Sequence, residues 1–298
     1  MDRLRELQLF TRVVERESFT AVAREMGLSQ PSVSRQIAAL EERLSVPLLL
    51  RSTRRVKPTE AGLLLYERAK RALDELAEAE AEAGQQVSGH RGTLRVAMSL
   101  AYGSNFVIPT VRAFLQKFPK VRIELIVNDR YVDLVEEGID VAIRIGPLED
   151  SSYKARSLGH EELVVVAARE YLQGKRRPKT IDELEEHDAV VLVRHGRPWP
   201  WNFVVPGKRA LIMRGPLQID NIAGVLAAVR EGIGIGMLPS YLVEDEVRSG
   251  ALVRLVPNAP LVGLPVYAVY PAVRQLSSKV QSFIEHLARV IGEDTKKR

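Results

Sequence analysis

The sequence predicts an α/β protein in three parts: a winged helix-turn-helix over residues 1–58, a linker helix over 59–89, and a larger domain over 90–298. Three patterns predict it. Short amphipathic segments flank Gly27-Leu28 and are followed by a basic hairpin pattern. From Thr59 to Val87 there is no proline, and Ala, Glu and Leu dominate, as in a long helix. Beyond Gly92, segments of period two and period 3.6 take turns, as strands and helices do in an α/β sheet.

Composition narrows the function classes. With 298 residues and no cysteine, the chain has room for two or three domains, but not for a disulfide scaffold, thiolate-bound zinc or a thiol redox sensor. The N-terminal Met1-Asp2-Arg3-Leu4-Arg5 lacks the apolar core of a signal peptide, and no apolar run reaches the ~18 residues of a membrane span. A cytoplasmic protein with no membrane partner is therefore expected. Residues 1–58 carry 11 Lys/Arg against 7 Asp/Glu, whereas 59–90 carry 3 against 7. A basic module before an acidic helix fits nucleic-acid binding at the N-terminus.

Leu4, Leu7, Phe10, Val13 and Val14 recur at helical spacing and predict a first helix. A second runs over 21–26, with Thr20 as its N-cap and Gly27 as the left-handed stop. Ser29 caps a third, with Gln30 and Pro31 in its first turn, where proline loses no hydrogen bond, and with Val33, Ile37, Leu40 and Leu44 on its apolar face. In a helix-turn-helix this last helix enters the major groove by its N-terminal end. Gln30, Ser32, Ser34, Arg35 and Gln36 are thus the candidates for base and phosphate contacts, with Ser29 and Pro31 beside them. Gln suits adenine, Arg suits guanine, and serine hydroxyls suit phosphate oxygens. Leu48–Arg51 and Arg55–Pro58 predict two strands around a turn. Arg51, Arg54, Arg55 and Lys57 make this hairpin a basic wing suited to the backbone and minor groove.

These residues carry a resemblance. Phe10, Val14-Glu15, Ser18-Phe19-Thr20, Ala23, Ser29-Gln30-Pro31-Ser32-Val33-Ser34, Ile37, Leu40-Glu41 and Leu44, then Arg51, Arg54-Arg55-Val56 and Thr59-Glu60-Ala61-Gly62, resemble the LysR-type transcriptional regulators. Two departures are Ser45, where the family usually has glycine, and Leu49, where phenylalanine is common. The resemblance implies a linker helix that pairs two subunits. It also implies an effector domain shaped like a periplasmic binding protein, its two lobes joined by two chain crossings: lobe I about 90–161 and 268–298, lobe II about 162–267. Double-stranded DNA is the expected partner of a homodimer or of a tetramer of paired dimers, and RNA polymerase is a further candidate partner.

The linker segment supports pairing on its own terms. Tyr66, Ala69, Leu73, Leu76, Ala83 and Val87 fit an a/d heptad pattern with Glu80 as its one polar member, and Thr59 and Glu60 suit the helix start. Ser88–Gly92 reads as a hinge.

In the C-terminal domain, strands are expected over 93–98, 121–127 and 139–145, with helices over 107–118 and 132–137 between them, giving a largely parallel sheet. Further strands over 163–168, 189–193, 217–219 and 233–238, and a helix over 222–230, form a second unit. A last strand (266–270) and helix (280–291) fit either unit, and the resemblance returns them to the first lobe.

Loops at the carboxyl ends of parallel strands bind ligands. Ser99, Ser104 and Asn105, in a loop leading into a helix N-terminus, suit an anion, and Leu100 and Tyr102 offer apolar contact. Asn128 and Gly146 lie in the neighbouring loops, and Arg194, His195 and Asn221 are candidates for the opposite wall. A small, anionic organic effector is expected, bound between the lobes.

Other chemistry finds no support. Gly232-Ile233-Gly234-Ile235-Gly236 follows a helix, whereas a dinucleotide loop follows a strand. The five histidines are scattered, so no metal site is expected, and no G-x-S-x-G motif is present. Neither an enzyme nor a cofactor is expected. Trp199 and Trp201 read as packing, with a ligand platform as the alternative. The competing function is a DNA-binding repressor or architectural protein that needs no effector.

Overall fold

The computed structural model describes residues 3–51, 56–83, 90–130, 133–148, 153–205, 210–272 and 276–297. The chain divides into two compact units, Met1–Thr93 and Leu94–Arg298.

The first unit holds α1 (Arg3–Arg16), α2 (Phe19–Glu25), α3 (Gln30–Leu44), β1 (Leu49–Arg51), β2 (Val56–Pro58) and α4 (Glu60–Ala83). Its core follows the apolar stripes: Leu9, Phe10 and Val13 meet Val22, then Val33, Ile37 and Leu40, with Leu48 and Val56 closing the end. The second helix starts earlier than expected. Ser18, in extended backbone, caps it by accepting from the Ala21 N–H at 3.2 Å, which leaves Thr20 inside the helix. Gly27 does take the left-handed conformation, with φ 65°. Ser45 takes it too, with φ 54°, at the end of α3, where glycine would carry no Cβ penalty. β1 and β2 pair antiparallel, Arg51 opposite Val56, and the turn at 52–55 lies outside the described residues.

Thr59 caps α4: its hydroxyl accepts from the Gly62 N–H at 2.9 Å and donates to the Pro47 carbonyl at 2.8 Å. Gly62 must be glycine, because a Cβ there would lie 2.0 Å from the Leu48 carbonyl oxygen. The heptad stripe divides on α4. Ala69 is buried and Tyr66 half-buried against their own unit, while Leu76 is exposed together with Leu63 and Leu64, which the stripe had left out. Val87 and the greater part of the expected hinge lie outside the described residues.

The second unit begins with β3 (Gly92–Met98), followed by α5 (Leu100–Tyr102), a π-helical stretch (Gly103–Val107) and α6 (Ile108–Lys117). The expected loop 99–105 is thus the opening of one long helical run. Asn105 lies inside it and donates to the Ala101 carbonyl at 2.9 Å, a side-chain bond of the kind that perturbs the helical ladder. β4 (Val121–Val127) and β5 (Val141–Ile145) follow. Of the helix expected over 132–137, the described residues form a turn instead: the Asp133 carboxylate accepts from the Val135 and Glu136 N–H groups, and Gly138 ends it at φ 60°.

β6 (Tyr153–Glu161), unforeseen, runs directly into β7 (Leu163–Ala168), which belongs to a second lobe. There β8 (Val190–Arg194), β9 (Arg197–Pro198), β10 (Leu217–Ile219), α7 (Ile222–Arg230), β11 (Gly236–Pro239), α8 (Ser240–Ser249) and β12 (Leu252–Leu255) build two three-stranded sheets, ordered β10-β8-β9 and β11-β7-β12, on one core. The chain then returns as β13 (Leu264–Pro271) and α9 (Ser278–Lys297). β13 enters the first sheet between β5 and β6, antiparallel to both, giving the order β4-β3-β5-β13-β6. That sheet is therefore mixed rather than largely parallel. Phe283, Ile284 and Leu287 of α9 seal its core with Phe114 of α6.

Candidate functional site

Two regions hold the functional candidates, one in each unit. In the first, Ser29 Oγ accepts from the Ser32 N–H at 3.3 Å, which fixes the start of α3. Ser29, Gln30, Pro31 and Arg35 are exposed there, while Ser32, Ser34 and Gln36 are half-buried. Gln36 donates to Ser32 Oγ at 3.3 Å, so this pair is preorganised on one face. Lys57 is exposed on β2; Arg51 lies in β1, and Arg54 and Arg55 fall outside the described residues.

Internal carboxylates hold this unit together. Buried Glu6 pairs with Arg43 at 2.9 Å, tying α1 to α3. Glu41 accepts from the Leu48 and Leu49 N–H groups at 2.8 and 3.0 Å, tying α3 to the wing. Lys70 of α4 donates to Tyr66 Oη at 2.9 Å and pairs with Glu15 of α1 at 3.0 Å. Burial pushes the Glu15 carboxyl up, but Lys70 and Arg12 outweigh it and hold the group below its ordinary range.

The second region is a cleft of about 560 Å³ between the lobes of the second unit. Of the expected residues, Ser99, Asn128, Arg194, His195 and Asn221 line it. Leu100, Tyr102, Ser104, Asn105 and Gly146 do not. The reason is the helical run from Leu100, which turns Ser104 and Asn105 out to solvent and Tyr102 into the core. Tyr102 there forms an aromatic cluster with Phe106 and with Tyr241 from α8, at centroid distances of 4.6 and 6.4 Å. Gly146, at φ 102°, is not part of the lining, although a Cβ there would stand 3.7 Å from Arg194 and 3.9 Å from Trp199.

Arg194 reaches from one lobe to the other. Its guanidinium lies 4.4 Å over the Trp199 ring and donates to the Ile145 carbonyl of the other lobe at 3.3 Å. Trp199 therefore lines the cleft under a cation, and Trp201 is the packing residue, wholly inside the core. Asn221 caps α7 by accepting from the Gly224 N–H at 2.8 Å, and its amide donates to Asp220 at 3.1 Å.

The helix start does not face the cleft as an open anion site. The Asp129 carboxyl accepts a hydrogen bond from the Leu100 N–H, which already places an anion there. Burial pushes this carboxyl up, opposed by that bond and by Arg194. Arg130 and Arg144 also line the cleft, and so do Asp220 and Glu161, so the two signs of charge meet in it. Glu161 is buried, and desolvation raises its pKa to about 7 against the pull of Tyr241 and Arg194. Sequence reasoning missed Glu161; the Glu161-Glu162 pair beside the apolar run of β7 was its only local signal.

A DNA-reading fold joined to a two-lobed domain with a polar cleft defines a class: transcription regulators that carry their own binding domain for small molecules. Comparison with known proteins gives the family. The model for the bacterial regulatory helix-turn-helix protein of the lysR family matches residues 4–63, and that for the LysR substrate binding domain matches residues 88–292. The chain belongs to the LysR-type transcriptional regulators. It is 36% identical to the transcriptional regulator PtxR of Pseudomonas aeruginosa, over 98% of this chain and 94% of that one. It is 32% identical to the transcriptional activator AaeR of Escherichia coli, over 96% and 93%. Among solved structures it is similar to the full-length Vibrio cholerae virulence activator AphB (TM-score 0.60, 28% identity, 96% and 98% covered). It is also similar to CrgA of Neisseria meningitidis (TM-score 0.62, 28% identity, 97% and 98% covered). These relatives are regulators, not enzymes. Among the described residues, no helix is long and apolar enough to cross a membrane.

Proposed function

We propose that this regulator, acting in the cytoplasm, reads double-stranded DNA through Gln30, Ser32, Ser34, Arg35 and Gln36. Ser29, Pro31 and the wing residues Arg51, Arg54, Arg55 and Lys57 sit against the backbone. The observation that carries this reading is the capped, exposed N-terminal turn of α3, in a unit whose β2 also exposes Lys57. Residues 59–89 join two subunits, with the exposed Leu63, Leu64 and Leu76 of α4 as the available apolar contact surface. Two such dimers form a tetramer, and RNA polymerase is the further partner through which binding alters transcription. A small organic effector enters the cleft between lobe I and lobe II and meets Ser99, Asn128, Arg194, His195 and Asn221. It alters DNA binding to the extent that it favours one arrangement of the lobes over another.

Selection from a random duplex pool by the purified full chain tests the DNA reading. The expected result is enrichment of two related half-sites at a fixed spacing, as a symmetric dimer requires. A pool that stays random after repeated rounds, or that yields a single unpaired half-site, would overturn it.

A further inference from the structure

Glu161 occupies a singular place in the second unit. It is the last residue of β6, and β7 of the other lobe begins two positions on, at Leu163. Leu264, the first residue of β13, pairs with it in register. Both crossings of the chain between the lobes therefore meet at Glu161. Its side chain is only 6% exposed, yet it forms part of the cleft lining. Leu163, Leu264, Met237 and Pro239 give the same cleft apolar surface.

The Tyr241 hydroxyl bears on this carboxyl, and among the described residues no other side chain hydrogen-bonds to it. That hydroxyl is also buried and meets the carboxyl outside ordinary hydrogen-bond geometry, with no other partner among the described residues. Arg194, whose charge acts on this carboxyl, is held by the Ile145 carbonyl and the Trp199 ring. A buried carboxylate without a full set of donors is costly, and so is a buried hydroxyl without a partner. Each becomes favourable when a bound molecule supplies what is missing.

We propose, resting on the reading of the cleft as an effector site, that Glu161 and Tyr241 form a subsite for a polar hydrogen. The ligand carries an ammonium or hydroxyl group on an apolar carbon frame. That group donates to the Glu161 carboxylate and meets the Tyr241 hydroxyl, while the apolar frame lies against Leu163, Met237 and Leu264. An anionic substituent, where the ligand has one, faces Arg194 at the other end. Because the subsite lies where both crossings meet, occupying it bears directly on the angle between the lobes. Burial raises the Glu161 carboxyl toward neutrality, so binding of such a donor strengthens as the pH rises past about 7. Arg194, Tyr241, Tyr102 and Asp129 are the charged and titratable groups whose fields act within this cluster.

Thermal melting of the full chain at pH 8 with four probes at about 50 mM tests this: butylamine, butanol, 4-aminobutanoate and butanoate. Butylamine and 4-aminobutanoate should raise the Tm by roughly 2–4 °C, and butanol by less, as ligands of the folded state do. Glu161→Gln should abolish these shifts, Tyr241→Phe should reduce them, and neither should touch a shift given by butanoate. If Glu161→Gln fails to fold, Glu161→Asp, which withdraws the carboxyl by one methylene, should weaken the amine shifts at least severalfold. Amine shifts unchanged in these variants, or no greater than the butanoate shift in wild type, would overturn the subsite. A butanoate shift lost in Arg194→Ala would in that case still uphold the cleft as a ligand site, which separates the two failures.

Discussion

The start of α3 and the cleft both gather polar side chains, yet they hold them in opposite states. At α3, Gln30 and Arg35 stand exposed, while the charges that stabilise the unit are paired elsewhere: Glu6 with Arg43, Glu15 with Lys70. In the cleft, Asp129 takes the Leu100 N–H, Arg194 stacks on Trp199, and Asn221 caps α7. A surface for a polyanion works by leaving cations in water until phosphates displace their counterions. A cleft for a small molecule works by keeping its groups partly satisfied, so that a ligand gains only where it replaces or completes an internal contact. Glu161 and Tyr241 are where that completion is still wanting.

Three substitutions sharpen this contrast, the strongest effect first. Glu161→Gln should remove a pH dependence of stability. The folded carboxyl, with a pKa of about 7 against 4.5 ordinarily, binds its proton more tightly than the unfolded chain does. Its contribution is therefore fully present in acid and is lost as the pH rises from about 4.5 to 7, by on the order of 3 kcal/mol. Urea melts of wild type and variant should diverge across that window; parallel curves would show that Glu161 is not held in an apolar setting. Ser29→Ala should cost the first unit about 1 kcal/mol through the lost cap, read as a lower midpoint of its urea transition. An unchanged midpoint would mean that the cap at α3 contributes nothing in solution. Ser45→Gly should raise the same midpoint by roughly 0.5–1 kcal/mol, since the residue sits at φ 54°. A fall would mean that the serine hydroxyl stabilises the turn by more than the strain costs.

The two regions also differed in how far sequence reasoning reached them. In the first unit the signals are local: a cap, a glycine stop and an apolar stripe lie within a few residues of what they determine. Even the cap, expected at Thr20 and found at Ser18, shifts a boundary and not a helix. In the second unit the informative contacts are distant in sequence. Nothing near Glu161 announces that Leu264 pairs with it, or that Tyr241 from α8 packs against Tyr102. The polar run Ser99–Asn105 was composed like a loop, yet it folds as helix because Tyr102 and Val107 bury themselves in the first lobe's core. That shift took Ser104 and Asn105 away from the cleft. Asp129, beside the expected Asn128, occupies the helix end where an anion from outside was expected.

The central claim is that sequence is read by the exposed start of α3 and not by charges in the cleft. Fluorescence anisotropy at a fixed salt concentration can compare the affinity for a selected duplex with that for a scrambled duplex of the same length. Gln30→Ala and Arg35→Ala should each cost the selected duplex about 1–3 kcal/mol. Combined, they should bring the ratio of affinities close to one while scrambled-duplex binding survives. Lys57→Ala should weaken both duplexes alike and lower the salt slope by about one ion. Arg194→Ala should leave the slope as it is. A Gln30→Ala, Arg35→Ala double variant that keeps the wild-type ratio would contradict the account.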